Sequence, residues 1–137
     1  MLAEIAVWSD KNVCPAGKVS QSSTSGDQVA ELAQTPVPVS GNIDRVLEYA
    51  ATDIQDDPSW TIDFGDEGIP IKELLVIGVT DDKNDFSKGL KVHVGDHVNF
   101  KGNPSCTKNT FDAHRGAEVS CRLKGRYVTI WRPGNNL

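Results

Sequence analysis

The side chains of this chain that could do acid–base chemistry are three histidines and two pairs of adjacent acids. The histidines are His93, His97 and His114, and the acidic pairs are Asp56–Asp57 and Asp81–Asp82. The pattern predicts His93 on the polar side of a strand and His97 after a turn, where histidines are usually solvated rather than catalytic. Adjacent residues of an extended segment point to opposite sides, so neither acidic pair forms the facing carboxylates of an acid–base mechanism.

Sequence motifs for catalysis are absent. The chain contains no Cys-x-x-Cys, His-Glu-x-x-His or Gly-x-Ser-x-Gly motif and no glycine-rich phosphate loop. A hydrolytic mechanism therefore has no supporting set of residues, and the sequence predicts a protein that is not an enzyme.

The three cysteines, Cys14, Cys106 and Cys121, cannot all pair within the chain. In a reducing compartment they would be ordinary thiols. In an oxidising compartment they imply one bridge and one cysteine whose partner lies elsewhere. The residue types alone leave both interpretations open.

Length and composition indicate one globular domain. The chain has 137 residues, of which 38% are hydrophobic and 24% charged, which excludes a disordered acidic chain. Fourteen basic against 19 acidic residues give a net charge of −5, which argues against nucleic acid as a partner. No apolar run is longer than that of Leu74–Ile77, which is far shorter than the roughly 20 residues of a membrane span, so no membrane insertion is predicted.

The elements that must position these residues are short β-strands. Apolar and polar residues alternate in four segments, 60–64, 90–94, 119–123 and 126–131, and turn residues follow them. Glu73–Thr80 is almost continuously apolar, which predicts a strand buried on both faces. Asp44–Gln55 is the one helical candidate. This pattern predicts an antiparallel sandwich or barrel.

The alternation also predicts which side chains face the core, because a slip of one residue would reverse a whole strand. Four residues are expected to be exposed: Lys91, His93, Ser120 and Arg122. The residues expected between the two sheets are Trp60, Ile62, Phe64, Leu75, Ile77, Val79, Leu90, Val92, Val94, Val128 and Ile130.

Several segments, in order, resemble the F-type lectins (fucolectins) of the discoidin and coagulation-factor C-type group. Asn12–Val13, Gly17–Lys18 and Gln21–Thr24 resemble their opening NVA-GK-A-QSST. Pro58–Gly65 resembles PWWRVDLG, and Gly89–Asp96 resembles G-x-x-I-R-V-G-D. Further matches are Ser40–Asn42 with DGN and, at the end, Cys106, Cys121 and Gly125–Thr129 with C…C…GRYVTV.

The resemblance implies an all-β fold, an antiparallel jelly-roll sandwich of about eight strands. Residues 1–11 are then an N-terminal extension, and residues 12–137 are a single lectin-like domain. Such domains are usually extracellular, so we expect this one outside the cell or at its surface. We also expect it to be part of a longer secreted or membrane-anchored protein.

The resemblance also implies a sugar-binding loop. In F-type lectins a histidine and an R-x-D-x-x-x-x-R segment bind the sugar. In this chain Lys83 and Asp85 stand at the first Arg and Asp, Lys88 is a counterpart of the second Arg, and no histidine precedes His93. Lysine is a point charge that cannot reproduce the two-pronged guanidinium, so the loop implies altered or lost fucose specificity. The alternative is a solvated turn between two strands.

A calcium site is the family's second feature. The resemblance points to Ser40, Asn42 and Asp44 as the residues that would hold structural Ca²⁺. Ser40 stands where the family has an aspartate, and a hydroxyl is a much weaker ligand for this hard cation than a carboxylate.

The cysteines match the family's closing pattern, from which we expect a disulfide between Cys106 and Cys121. The alternative is that Cys121 is a buried thiol. The resemblance stops near Pro133–Leu137, where F-type lectins continue into a last strand with a cysteine. We therefore expect that this last strand lies beyond Leu137 and that its cysteine pairs with Cys14.

Two functional hypotheses follow. The first is a carbohydrate-binding module whose partners are glycans or glycoproteins. The second is a structural or adhesive domain that contacts other chains of an extracellular assembly without binding sugar. Mutation of Lys83 and Lys88 separates them, because it abolishes ligand binding under the first hypothesis and leaves assembly unchanged under the second.

Overall fold

Seven β-strands form the structure, a computed structural model that describes residues 2–9, 11, 13–24, 26, 30–34, 52, 57–78, 88–113 and 116–133. Within these residues there are also short 3₁₀ turns at Cys14–Ala16, Ala30–Ala33 and Phe100–Gly102. The strands are β1 (Leu2–Trp8), β2 (Lys18–Gln21), β3 (Ser59–Asp63), β4 (Ile69–Gly78), β5 (Lys91–Gly95), β6 (Ala117–Gly125) and β7 (Tyr127–Trp131).

The strands pair in two antiparallel sheets, one of three strands in the order β1-β4-β6 and one of four in the order β2-β3-β7-β5. The predicted all-β sandwich is therefore confirmed. The helical candidate Asp44–Gln55 lies almost wholly outside the described residues. Among the described segments, no helix is long and apolar enough to cross a membrane.

The strands predicted from alternation are present as β3, β5, β6 and β7. Their inward side chains form the core, and Ser120 and Arg122 are exposed as expected. Phe64 is only partly buried, and Val79 lies outside the described residues. The predicted core residues that are confirmed as buried are Trp60, Ile62, Leu90, Val92, Val94, Val128 and Ile130.

The register predicted for β4 is wrong. Leu74 and Val76 are the buried residues, whereas Leu75 and Ile77 are half-buried on the other face. Leu74–Ile77 is a run of four apolar residues, so alternation offers no choice between the two faces. The choice comes from the β6 partner, since buried Val119 pairs with Leu74.

The prediction that Lys91 and His93 are exposed is also wrong. Lys91 is half-buried and His93 is 9% exposed. The segment that follows β5 turns back along the free edge of this strand, where the Val94 N–H donates to the Pro104 carbonyl at 3.0 Å. The ring of Phe100 from this segment contacts His93 at a centroid distance of 5.9 Å. A polar-looking strand face is thus covered by a loop.

Residues 1–11 were expected to be an extension outside the domain, but Leu2–Trp8 is strand β1. Ile5, Ala6 and Val7 are fully buried, and the strand pairs with β4 along most of its length. Residue 2 onward therefore belongs to the core of the sandwich, because an apolar strand of this length stabilises the sheet by burial.

The predicted disulfide between Cys106 and Cys121 is confirmed, with a Cα–Cα distance of 4.9 Å. Cys121 lies in β6, at the edge of the three-stranded sheet. The Cys106 N–H donates to the Val92 carbonyl of β5, at the edge of the other sheet. The bridge thus joins the two sheets along one side. Cys14 is fully buried in the core, and its pairing with a cysteine beyond Leu137 stays a prediction.

Candidate functional site

The segments that carry the predicted sugar and calcium residues leave the sandwich at the same end. Lys91, the first residue of β5, pairs with Trp131, the last of β7, and Trp131 pairs with Ser59, the first of β3. The β2–β3 connection, residues 22–58, and the β4–β5 connection, residues 79–90, therefore both begin or end here. We call this the loop end of the sandwich.

A short extended segment, residues 111–113, holds the strands on both sides of the β4–β5 connection. Leu90 and Phe111 exchange two backbone hydrogen bonds of 2.8 and 2.9 Å. The Gly78 N–H donates to the Ala113 carbonyl at 3.0 Å. Because Gly78 ends β4 and Leu90 precedes β5, this segment sets the distance between the two ends of the predicted sugar loop.

The second connection is fixed where it enters β3. The Ser22 N–H donates to the Ser59 carbonyl at 2.9 Å, and the Ser59 N–H donates to Ser22 Oγ at 3.0 Å. The Arg132 N–H donates to the Pro58 carbonyl at 3.1 Å. The loop end therefore has a rigid base formed by strand ends.

Most of the predicted site residues lie outside the described residues. These are Lys83 and Asp85 of the sugar site and Ser40, Asn42 and Asp44 of the calcium site. Lys88 is described and is exposed, next to Gly89. Gly89 has a φ of +69°, which favours glycine, and its N–H donates to Asp112 Oδ1 at 3.1 Å.

No group of three metal-ligating side chains occurs within the part of the chain that the structure describes. The predicted calcium ligands are not in that part, so calcium binding stays a prediction.

An aromatic cluster that the sequence did not indicate lies at the loop end, on the outer face of the four-stranded sheet. Phe100 and Trp131 have ring centroids 5.0 Å apart, and His93 lies 5.7 Å from Trp131. Lys101 Nζ lies 5.4 Å from the Trp131 ring centroid and 2.8 Å from Asp57 Oδ2. We call these five residues the Trp131 cluster; it combines an aromatic surface with an ammonium and a carboxylate.

The members of this cluster come from four separate segments, which is why sequence spacing did not reveal them. Tyr127, Thr129 and Trp131 lie at every second position of β7, on the face opposite to Val128 and Ile130. This spacing is the one signal that could have placed Trp131 outside the core. His93 Nδ1 lies 2.7 Å from the Asn103 carbonyl, which can only accept, so Nδ1 carries the proton.

The opposite end of the sandwich carries an ion-pair network around Arg126. Its guanidinium donates to both carboxylate oxygens of Asp63, at 2.8 and 3.0 Å, and to Asp66 Oδ1 at 2.7 Å. Hydrogen bonds from Arg126 lower the pKa of Asp63 below its ordinary value, and the same contact raises the pKa of Arg126. This two-pronged pair joins β3 to the β6–β7 turn and is structural.

Comparisons with known proteins agree with this architecture. No protein-family model and no curated protein matches the sequence. Among solved structures, the chain is similar to an F-type lectin (fucolectin) from the serum of striped bass, Morone saxatilis, with a TM-score of 0.75 and 24% identity. The alignment covers 95% of this chain and 44% of that lectin, so this chain spans less than half of the lectin's length.

Two smaller binding domains are similar over most of their own length. The lectin domain of lectinolysin, complexed with Lewis b antigen, has a TM-score of 0.67 and 19% identity, covering 94% of this chain and 90% of that domain. The family 32 carbohydrate-binding module of C. perfringens NanJ, in complex with galactose, has a TM-score of 0.61 and 11% identity, covering 96% and 89%. At these identities the likeness establishes a shared fold, that of the F-type lectins and discoidin-like modules.

Proposed function

We propose that this chain is a carbohydrate-binding, lectin-like module with altered or lost fucose specificity. The observation that supports the proposal best is the shared sandwich fold of lectins and carbohydrate-binding modules, two of which hold Lewis b antigen and galactose. At the loop end, long connections are held by the ends of paired strands. Binding sites commonly occur on loops that a rigid scaffold positions in this way.

The residues proposed to contact sugar are Lys83, Asp85 and Lys88. Ammonium groups donate hydrogen bonds to ring and hydroxyl oxygens, and a carboxylate accepts from hydroxyls, so charge-assisted bonds would orient the ligand. Two lysines constrain the orientation of a bound sugar less than two arginines do. This favours a specificity that is broader than fucose or directed to another sugar.

The proposal includes a binding rather than a catalytic role and an extracellular location. The lectin and carbohydrate-binding neighbours support the first. The Cys106–Cys121 disulfide supports the second, because such bonds persist in oxidising compartments.

A glycan array tests the proposal. We expect the chain to bind above background to at least one class among fucosylated, galactosylated and acidic glycans. The double variant Lys83→Ala/Lys88→Ala should lose at least ten-fold in affinity. The matched control Lys11→Ala/Lys124→Ala removes two exposed lysines away from the loop end and should bind like the wild type.

The competing function is a structural domain of a larger extracellular assembly. An array with no signal for any glycan class would overturn the lectin proposal in its favour.

A further inference from the structure

We propose that the Trp131 cluster is an accessory glycan subsite, which takes a sugar residue further along the ligand than the residue bound by Lys83, Asp85 and Lys88. The inference rests on the proposed function and adds to it a preference for oligosaccharides over single sugars.

The position of Trp131 fits this role. Trp131 lies directly opposite Lys91 in the sheet, and Lys91 is three residues from Lys88. Three residues of chain span at most about 10 Å, a distance that a short oligosaccharide covers. A glycan held at the loop end can therefore reach Trp131 across the edge of the four-stranded sheet.

The aromatic surface suits a sugar ring. One face of many pyranose rings presents only C–H groups, which pack against flat aromatic side chains. Trp131 is half-buried rather than buried, and indole offers the largest area of the aromatic side chains.

The polar partners next to this surface match the hydroxyls at the rim of a sugar. The Lys101 ammonium has three N–H donors, and Asp57 Oδ2 at 2.8 Å accepts one of them. The Lys101 side chain is 52% exposed and lies over the indole. Since it is long and flexible, it can swing from the ring to sugar oxygens when a ligand arrives.

Tyr127, at the other end of the same face of β7, is a weaker candidate for the subsite than Trp131. Tyr127 also has a cation over its ring, with the Arg126 guanidinium 5.0 Å from the centroid. Arg126, however, is fixed by three hydrogen bonds to Asp63 and Asp66, whereas Lys101 Nζ has one to Asp57. Tyr127 lies four residues, about 13 Å, from Trp131 along the strand, and this makes it a matched control.

The aromatic part of the cluster is also held in place before any ligand binds. Phe100 and His93 pack against the indole at 5.0 and 5.7 Å, and Asn103 fixes His93. A rigid platform lowers the entropy lost on binding.

The test is a calorimetric titration with L-fucose, D-galactose and the Lewis b oligosaccharide. The wild type should bind the oligosaccharide at least ten-fold more tightly than either single sugar. Trp131→Ala should remove that advantage without changing the affinity for single sugars, and Tyr127→Ala should leave both unchanged. Circular dichroism checks that each variant is folded. If Trp131→Ala does not fold, Lys101→Ala replaces it and should weaken oligosaccharide binding at least three-fold.

The outcomes separate the two proposals. An oligosaccharide that binds no more tightly than a single sugar, or a Trp131 variant that keeps the full advantage, overturns the subsite while the lectin proposal stands. A wild type that binds none of the probes and shows no signal on the glycan array overturns both.

Discussion

At the scale of single residues, the contact with the best-defined electrostatics is the pair formed by Asp63 and Arg126. The guanidinium donates to both oxygens of the Asp63 carboxylate, and the Gly65 N–H donates to Oδ1 at 2.8 Å. These bonds favour the ionised acid, which is why the pKa of Asp63 lies below the ordinary value of 3.8.

The lowered pKa predicts a pH-dependent stability. An acid whose pKa is lower in the folded than in the unfolded state stabilises the fold above the unfolded value, here about 3.8. That contribution is lost as the pH falls through the lower, folded value. We expect Asp63→Asn to lower the Tm at pH 7, and the difference from the wild type to shrink as the pH falls below about 4.

Thermal melts from pH 7 to pH 2 measure this effect. Glu118→Gln, which removes an exposed acid in β6, is the control and should follow the wild-type profile. A Tm difference for Asp63→Asn that stays constant over the whole range would show that the ion pair is not its cause.

At the scale of elements, alternation predicted strands and their inward faces well where polar and apolar residues truly alternate. In β3 and β7, buried Ile62 pairs with buried Val128, as their patterns require. The same rule failed for β4, where four consecutive apolar residues fit either face, and for His93, which the loop after β5 covers. Both failures come from tertiary contacts, which a local period cannot report.

The register of β4 can be tested with two adjacent leucines. Leu74 is 1% exposed and Leu75 is half-buried, so the two truncations to alanine are chemically identical and differ only in environment. Leu74→Ala should lower the free energy of unfolding by about 2–5 kcal/mol through lost burial and the cavity it leaves. Leu75→Ala should cost clearly less in urea denaturation. A larger loss at Leu75 would mean that the strand is turned the other way, and equal losses would mean that the two faces are equally buried.

A second comparison, between a valine of β1 and an exposed valine, tests whether the first residues of the chain belong to the domain. Val7 is fully buried in β1, whereas Val98 is 83% exposed. Val7→Ala should destabilise the fold by about 2 kcal/mol, and Val98→Ala should change the stability by less than about 0.5 kcal/mol. Chemical denaturation with a common m-value gives both numbers. A Val7 variant as stable as the wild type would mean that residues 2–8 are an extension outside the folded domain.

At the scale of the whole molecule, the resemblance to F-type lectins predicted the sandwich and the disulfide, but it left strand β1 outside the domain. Its limits are also clear. The strand segments of the family match because pairing and burial constrain them, while the sugar loop between Gly78 and Lys88 departs from the family because loops are free to change. The Trp131 cluster was missed since its members are 74 residues apart at their extremes, Asp57 and Trp131, and meet only through the fold.

The division of the molecule into two ends is the basis of its proposed function. The end at Arg126 is closed by a two-pronged ion pair and by Gly125, whose backbone meets that of Gly95 so closely that a Cβ there would lie 2.6 Å from it. The loop end carries the β2–β3 and β4–β5 connections, Lys88 and the Trp131 cluster. We therefore expect glycan to bind at the loop end.

The most direct test of that claim is a ¹⁵N–¹H NMR titration of the wild-type chain with the Lewis b oligosaccharide and with D-galactose. We predict shifts of the backbone signals of Lys88, Gly89 and Leu90, and of the Trp131 indole signal with the oligosaccharide. The signals of Gly95, Asp96 and Arg126 at the opposite end should not move. Shifts confined to that opposite end, or no shifts with either sugar at millimolar concentration, would contradict the account.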